Sequence, residues 1–163
     1  MEDQILLLIA GIIVSMLPFG ELRFGIPIAL GTNEVTMTYR IIAISACILA
    51  NIFVIPLIFL FLKYLHEHFM KWKPYRRLFT KHIEKIRKKA EPKVRKYEFV
   101  GLLGWTAIPF PGTGAWSASL VAWVFGIPKK KVAIPAIAIG VIIAGILVAV
   151  GWSSIIGLFT NIF

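Results

Sequence analysis

Apolar residues along this chain come in long unbroken runs, and the lengths of those runs predict its elements. Residues 5–19 are apolar but fall short of the roughly 20 that a spanning helix needs. Gly20, Glu21 and Arg23 interrupt, a second short apolar piece covers residues 24–30, and Gly31, Thr32 and Asn33 form a turn. Residues 41–62 are then apolar except for Ser45, Asn51 and a small break at Pro56, which is length enough to cross a bilayer. The second half repeats this order. Residues 99–110 are too short to span and end in Pro109-Phe110-Pro111-Gly112-Thr113-Gly114. Residues 115–127 form another short piece, closed by Pro128 and three lysines, and residues 132–159 make a full span.

Charge turns this order into a topology. Of 18 Lys and Arg residues, 13 fall within residues 63–96. Positive charge beside a span is retained on the cytoplasmic side, so residues 63–98 and 129–131 are expected to be cytoplasmic. Residues 99–127 lie between them and must enter and leave on one face. Two crossings of such short pieces fail against a bilayer of ~30 Å at ~1.5 Å per residue, so a re-entrant hairpin is predicted. The same logic gives residues 1–31 a hairpin from the opposite face, with the acidic N-terminus and Glu34 outside. One long tilted span over residues 4–31 is the alternative for that half. Paired apolar segments interrupted by Gly and Pro at matching positions of two halves point to a transporter-type site at the midplane.

Composition agrees: hydrophobic residues are 58% and charged ones 16%, against about 45–50% and about 25% in soluble proteins, with a mean hydropathy of +0.82. A net charge of +10 would elsewhere suggest nucleic acid. Here the basic block is tethered between membrane segments, and no nucleic-acid partner is expected. Its apolar residues, among them Leu65, Phe69, Trp72, Phe79, Ile83 and Ile86, recur in steps of mostly three and four. That pattern predicts a basic amphipathic helix lying on anionic lipid. Cys47 is the single cysteine and reads as a packing residue. Glu2 and Asp3 take the place of a basic leader, so no cleaved signal peptide is expected.

Glu21 and Arg23 are the sharpest chemical signal. An ionisable group at bilayer depth costs about 2.5–3.5 kcal/mol on insertion scales. Residues two apart do not share a helix face, so the pair is expected to bond across the tip or to the other hairpin. Glu21 suits a proton carrier or cation ligand, and Arg23 a partner for an anionic head group. Thr113 can cap a helix and Gly114 lets backbone approach closely, so the amides of Gly112, Thr113 and Gly114 offer an anion site, as does the piece starting near Gly20. Gly20, Pro27, Pro109 and Pro111 would set hairpin geometry. Trp105 and Trp116 are assigned to cavity lining or packing, and Asn51 to a helix–helix hydrogen bond. No catalytic, metal-binding or cofactor-binding constellation is present in the sequence, which argues against an enzyme.

The run Gly20-Glu21-Leu22-Arg23-Phe24-Gly25-Ile26-Pro27, with Pro109 to Trp116, resembles the putative small multidrug export protein family, which looks like a compact relative of the DedA superfamily of membrane transporters. The resemblance covers nearly the whole chain. It implies two facing re-entrant hairpins, a substrate that is a lipid or polyprenyl phosphate, and an acidic tip residue at Glu21. DedA proteins carry arginines around the second tip; this chain has Thr106 and Thr113 there, and Arg23 stands in from the first.

The expected fold is therefore one all-α membrane domain of two inverted repeats, residues 1–62 and 99–163. Each is a re-entrant helical hairpin followed by a spanning helix, with the cytoplasmic basic helix at 63–98. The leading function is translocation, possible with proton coupling, of an amphipathic, anionic lipid-like substrate in the plasma membrane. Proton-coupled export of small drugs is the alternative, and a non-transporting scaffold the third. Expected partners are membrane lipids, the substrate, protons and a second copy in a homodimer, because two spans give the tips little lateral cover.

Overall fold

The computed structural model describes residues 2–31, 35–72, 97–110 and 112–162, with side chains from Asp3 to Ile156, and every regular element among them is helical. Helix α1 covers Glu2–Met16 and α2 Glu21–Leu30. Helix α3 runs through Met37–Phe69, α4 is Glu98–Ala107 and α5 is Ala115–Phe125. A π-turn at Lys129–Ala133 leads into α6, Ile134–Ile162. The predicted basic helix falls largely on residues 73–96, outside the described residues, as do Thr32, Asn33, Glu34 and Pro111.

Local chemistry explains the boundaries. The residue before a proline is driven out of the helical region, so α1 stops ahead of Pro18, and α4 gives way at Ile108, whose ψ is 116°, ahead of Pro109. Thr36 caps α3, its hydroxyl accepting from the Tyr39 amide at 3.3 Å. Gly126, left-handed at φ 72°, closes α5, while the Ile127 amide reaches back to the Ala122 carbonyl at 2.9 Å. Pro56, a small break in the apolar run, leaves the helix whole. It lies inside α3 without ending it, since losing one backbone bond is tolerated in so long a helix.

The stretch 4–31 is not one span. A Cβ on Gly11 would sit 2.5 Å from the Ala29 methyl, and one on Gly25 would overlap the Ser15 hydroxyl. Pairing 11 with 29 and 15 with 25 makes α1 and α2 antiparallel and in near backbone contact, as small residues four apart allow. The open end of this hairpin lies at one end of the bundle. There the Tyr39 hydroxyl donates to the Gln4 or the Ala29 carbonyl (2.7 and 2.9 Å), and the Trp152 indole donates to the Gly31 carbonyl. At the other end the Lys129 ammonium lies 5.5 Å above the Phe59 ring and His66 meets Trp123 edge-on at 5.0 Å. Helices α3 and α6 therefore run antiparallel, with Lys63 and Lys129 to Lys131 at the same end. Each long helix also packs on the other half: α3 against α5, and α6 against α2.

Two helices are long and apolar enough to cross a membrane, Met37–Phe69 and the stretch Lys129–Ile156, and just 33% and 44% of their most apolar windows is buried. Apolar outer faces of that extent are stable against lipid and costly against water. The chain is a membrane protein. At ~1.5 Å per residue, the 10 residues of α4 and 11 of α5 reach about half of a ~30 Å core.

Candidate functional site

The turn of residues 17–20 meets the turn of residues 108–114 between the two long helices. In the first, the Leu17 amide bonds to Val14 and the Glu21 amide to the Leu17 carbonyl, both at 3.1 Å. A Cβ on Gly20 would stand 2.5 Å from the Val14 carbonyl oxygen, so this turn closes only around glycine. Glu21 follows at φ 46°, a left-handed conformation uncommon for a side-chain-bearing residue. It begins α2 with its carboxylate aimed at the second tip, 7% exposed.

That carboxylate occupies the N-terminus of α5. The Trp116 amide donates to Glu21 Oε1 at 3.2 Å, and a Cβ added to Gly114 would overlap the carboxylate. Gly114 (φ 129°, ψ −167°) is in a region essentially confined to glycine. Free amides and the helix dipole make this end a site for negative charge. The sequence predicts a substrate's charge there; in the structure the protein's own Glu21 supplies it. Arg23 completes the lock, its guanidinium donating to the Thr113 carbonyl and lying 3.5 Å from Glu21 Oε2. Residues two apart meet here because the left-handed turn at Glu21 swings its side chain off the helical path. In the reverse direction, the Trp116 indole donates to the Met16 carbonyl at 3.1 Å, reaching the free C-terminal end of α1.

One site expectation is corrected. Thr113 does not cap α5; its hydroxyl accepts from the Phe110 amide at 3.2 Å and lies 2.5 and 2.7 Å from the Ile108 and Phe110 carbonyls, tying its own turn. Pro27, expected to set hairpin geometry, lies inside α2, its carbonyl accepting from the Gly31 amide at 2.9 Å. The donors expected to hold a head group, the α5 amides and Arg23, are engaged with Glu21 and Thr113. Gly112 (φ 90°) and Pro109 lie in the second turn. Trp105 is half exposed, its indole donating to Ser117 Oγ at 3.1 Å.

Glu21 and Arg23 form part of the wall of two cavities. One, of about 20 Å³, is bounded by Asn51, Thr106 and the apolar Val141, Ala144 and Val148. The other, of about 320 Å³, lies on the flank of the tips against Pro18, Phe19, Phe24 and Thr113. Asn51 joins α3 to α1 by donating to the Ser15 carbonyl at 2.7 Å. Ser15, buried and bonded to the Gly11 carbonyl, was not picked out from the sequence, although Gly11 and Ser15, and Gly25 and Ala29, repeat small residues at the spacing of close helix contacts. Among the described residues, no group of three or more His, Cys, Asp or Glu is placed to hold a metal.

The fold and this centre define a helical membrane protein whose polar interior is built where two short, Pro- and Gly-broken loops meet. The family described as "Putative small multi-drug export protein" matches residues 21–147, and the chain belongs to that family. No curated protein and no solved structure matches it.

Proposed function

We propose that the protein is a proton-coupled exporter of small amphipathic cations, with Glu21 as the group that holds a proton or the substrate in turn. One observation carries this reading: the Glu21 carboxylate closes the α5 N-terminus and is also a wall of both cavities. A charged Glu21 ties the tips together. Protonation or a bound cation weakens that tie, because the α5 amides lose their counter-charge. The tips can then part, which exposes the carboxylate to the other side. The two halves would act as inverted repeats with re-entrant hairpins, the lysine-rich end facing the cytoplasm of a plasma membrane. The family description supports export of small molecules.

A second reading, DedA-like movement of an anionic lipid, is favoured by Phe19 and Phe24, 92% and 59% exposed beside the larger cavity, where an acyl chain would find apolar walls. It requires a head group to displace Glu21 from the α5 amides and Arg23. Proteoliposomes separate the two. Wild type should move protons when a lipophilic cation is added, Glu21→Gln should not, and Arg23→Ala should retain part of the flux. Loss of fluorescent-lipid movement in both variants, with no cation-driven proton flux in wild type, would replace the export reading with the lipid one.

A further inference from the structure

The smaller cavity is bordered by a residue with a buried polar atom left without a partner. Asn51 is 1% exposed; its amide nitrogen is committed to the Ser15 carbonyl, which fixes its carbonyl oxygen, Oδ1, as the other end of the side chain. That oxygen has no hydrogen-bond partner. A buried carbonyl left unpaired is costly, and such atoms in native proteins generally meet an internal water or ion. Asn51 borders the cavity that Glu21, Arg23 and Thr106 also border.

Size and charge choose the occupant. At about 20 Å³ the cavity exceeds the roughly 10–15 Å³ that one water requires and is far too small for an organic ligand. Glu21 and Arg23 already balance, so a metal cation would leave a buried net positive charge, which is strongly unfavourable. A water needs two to four polar partners. The Asn51 carbonyl accepts from it, the Thr106 hydroxyl, which donates to the Leu102 carbonyl at 2.7 Å, keeps lone pairs for it, and the Glu21 carboxyl can accept or donate.

We infer that this cavity binds a single structural water, linking Asn51 Oδ1 to the Glu21 carboxyl, and that by turning it supports Glu21 both with and without its proton. The proton role rests on the export reading above; the water itself does not. When Glu21 is protonated it donates to the water, and the water donates onward to Asn51. When Glu21 gives up its proton, the water turns to donate to the carboxylate. The proton itself passes between Glu21 and the larger cavity, which the carboxyl also walls, and the water only reorients, so atoms and charge balance at each step. Asn51 is thus a positioning residue, since it orients the water without itself titrating.

The test is infrared difference spectroscopy of the full chain in lipid, stepping pH, in ordinary and in heavy-oxygen water. Wild type should show an O–H stretching band of a weakly bonded internal water that shifts with the oxygen isotope. Asn51→Leu should lose it. Because that change also removes the bond to Ser15, Ala144→Val provides a second variant, filling the cavity while leaving the Asn51–Ser15 bond in place, and it should lose the band as well. Both variants should keep cation binding and lose proton flux. A band absent from wild type, or unchanged in Ala144→Val, overturns the water. A band that behaves as expected while Ala144→Val keeps wild-type proton flux overturns its part in the proton exchange of Glu21 and leaves export standing. Absence of any cation-driven proton flux in wild type defeats the export reading alone, because the band still decides whether the water is there.

Discussion

The two hairpins share an order of segments and differ in what holds them together. The first is closed upon itself: Gly11, Ser15, Gly25 and Ala29 bring α1 and α2 to backbone contact along their length. The second is splayed. Helix α4 packs mainly on α6, where a Cβ on Gly140 would lie 2.6 Å from Thr106 Cβ, and α5 packs on α3. Between α4 and α5 the side-chain bond is that of Trp105 to Ser117. The first hairpin is thus a preassembled wedge that carries Glu21 and Arg23. The second is a seat whose two walls belong to different neighbours, joined by a short turn that Thr113 ties. If the centre opens, relative movement should arise at the seat, where few packed atoms resist it.

The largest expected effect comes from prying the wedge apart. Gly25→Leu places a branched side chain where the Ser15 hydroxyl lies, and overpacking of this kind costs about 3 kcal/mol or a little more. Against a total of roughly 5–15 kcal/mol, that loss should show as poor yield and a much lower melting temperature in detergent. Thermal unfolding followed by size-exclusion chromatography measures it. A variant as stable as wild type would mean that α1 and α2 separate freely, and the contrast between the hairpins would fail.

A smaller and more local effect is expected at the interface of wedge and seat. Gly114→Ala forces a side chain into a backbone region that glycine alone occupies comfortably, at about 1–3 kcal/mol, and pushes a methyl into the Glu21 carboxylate. The protein should still fold, because the wedge and both long helices are untouched. Proton flux should fall far more than stability does. Equal losses in the two would make the tip contact a plain structural joint.

How much of this could be read from the sequence follows from the range of each interaction. The breaks at Pro18–Gly20 and Pro109–Gly114 were legible, because proline and glycine act on the backbone within a residue or two. The long helices were legible from run length alone. Pro27 and Pro56 lie inside helices, because the local rule against proline is overridden when neighbouring turns and packed helices hold the helix. The centre was half legible. Glu21 and Arg23 stood out by their cost in an apolar setting, and the α5 N-terminus stood out as a site for an anion. That one satisfies the other is a contact across 95 positions, which no local pattern encodes. Thr113 illustrates a competition between equals, since its hydroxyl can cap a helix or tie a turn, and the carbonyls of Ile108 and Phe110 were nearer.

The smallest effect has the opposite sign and tests the seat directly. Gly101 and Gly104 lie within α4, and a Cβ on either meets nothing within 4 Å. Glycine inside a helix costs roughly 0.5–1 kcal/mol relative to alanine, through the freedom it keeps in the unfolded chain. In the first hairpin the same substitution has no room, as Gly11 and Gly25 show. Gly101→Ala and Gly104→Ala should therefore each stabilise the protein by up to about 1 kcal/mol, while Gly11→Ala destabilises it. Measured melting temperatures in one detergent give the ranking. Transport should be preserved, because a methyl added at either glycine meets nothing at the tips. If either alanine in α4 destabilised the protein instead, that face would have to be covered, by a second copy or by another part of this chain. The second hairpin would then be as tightly packed as the first, and the movement assigned to it would have to be sought elsewhere.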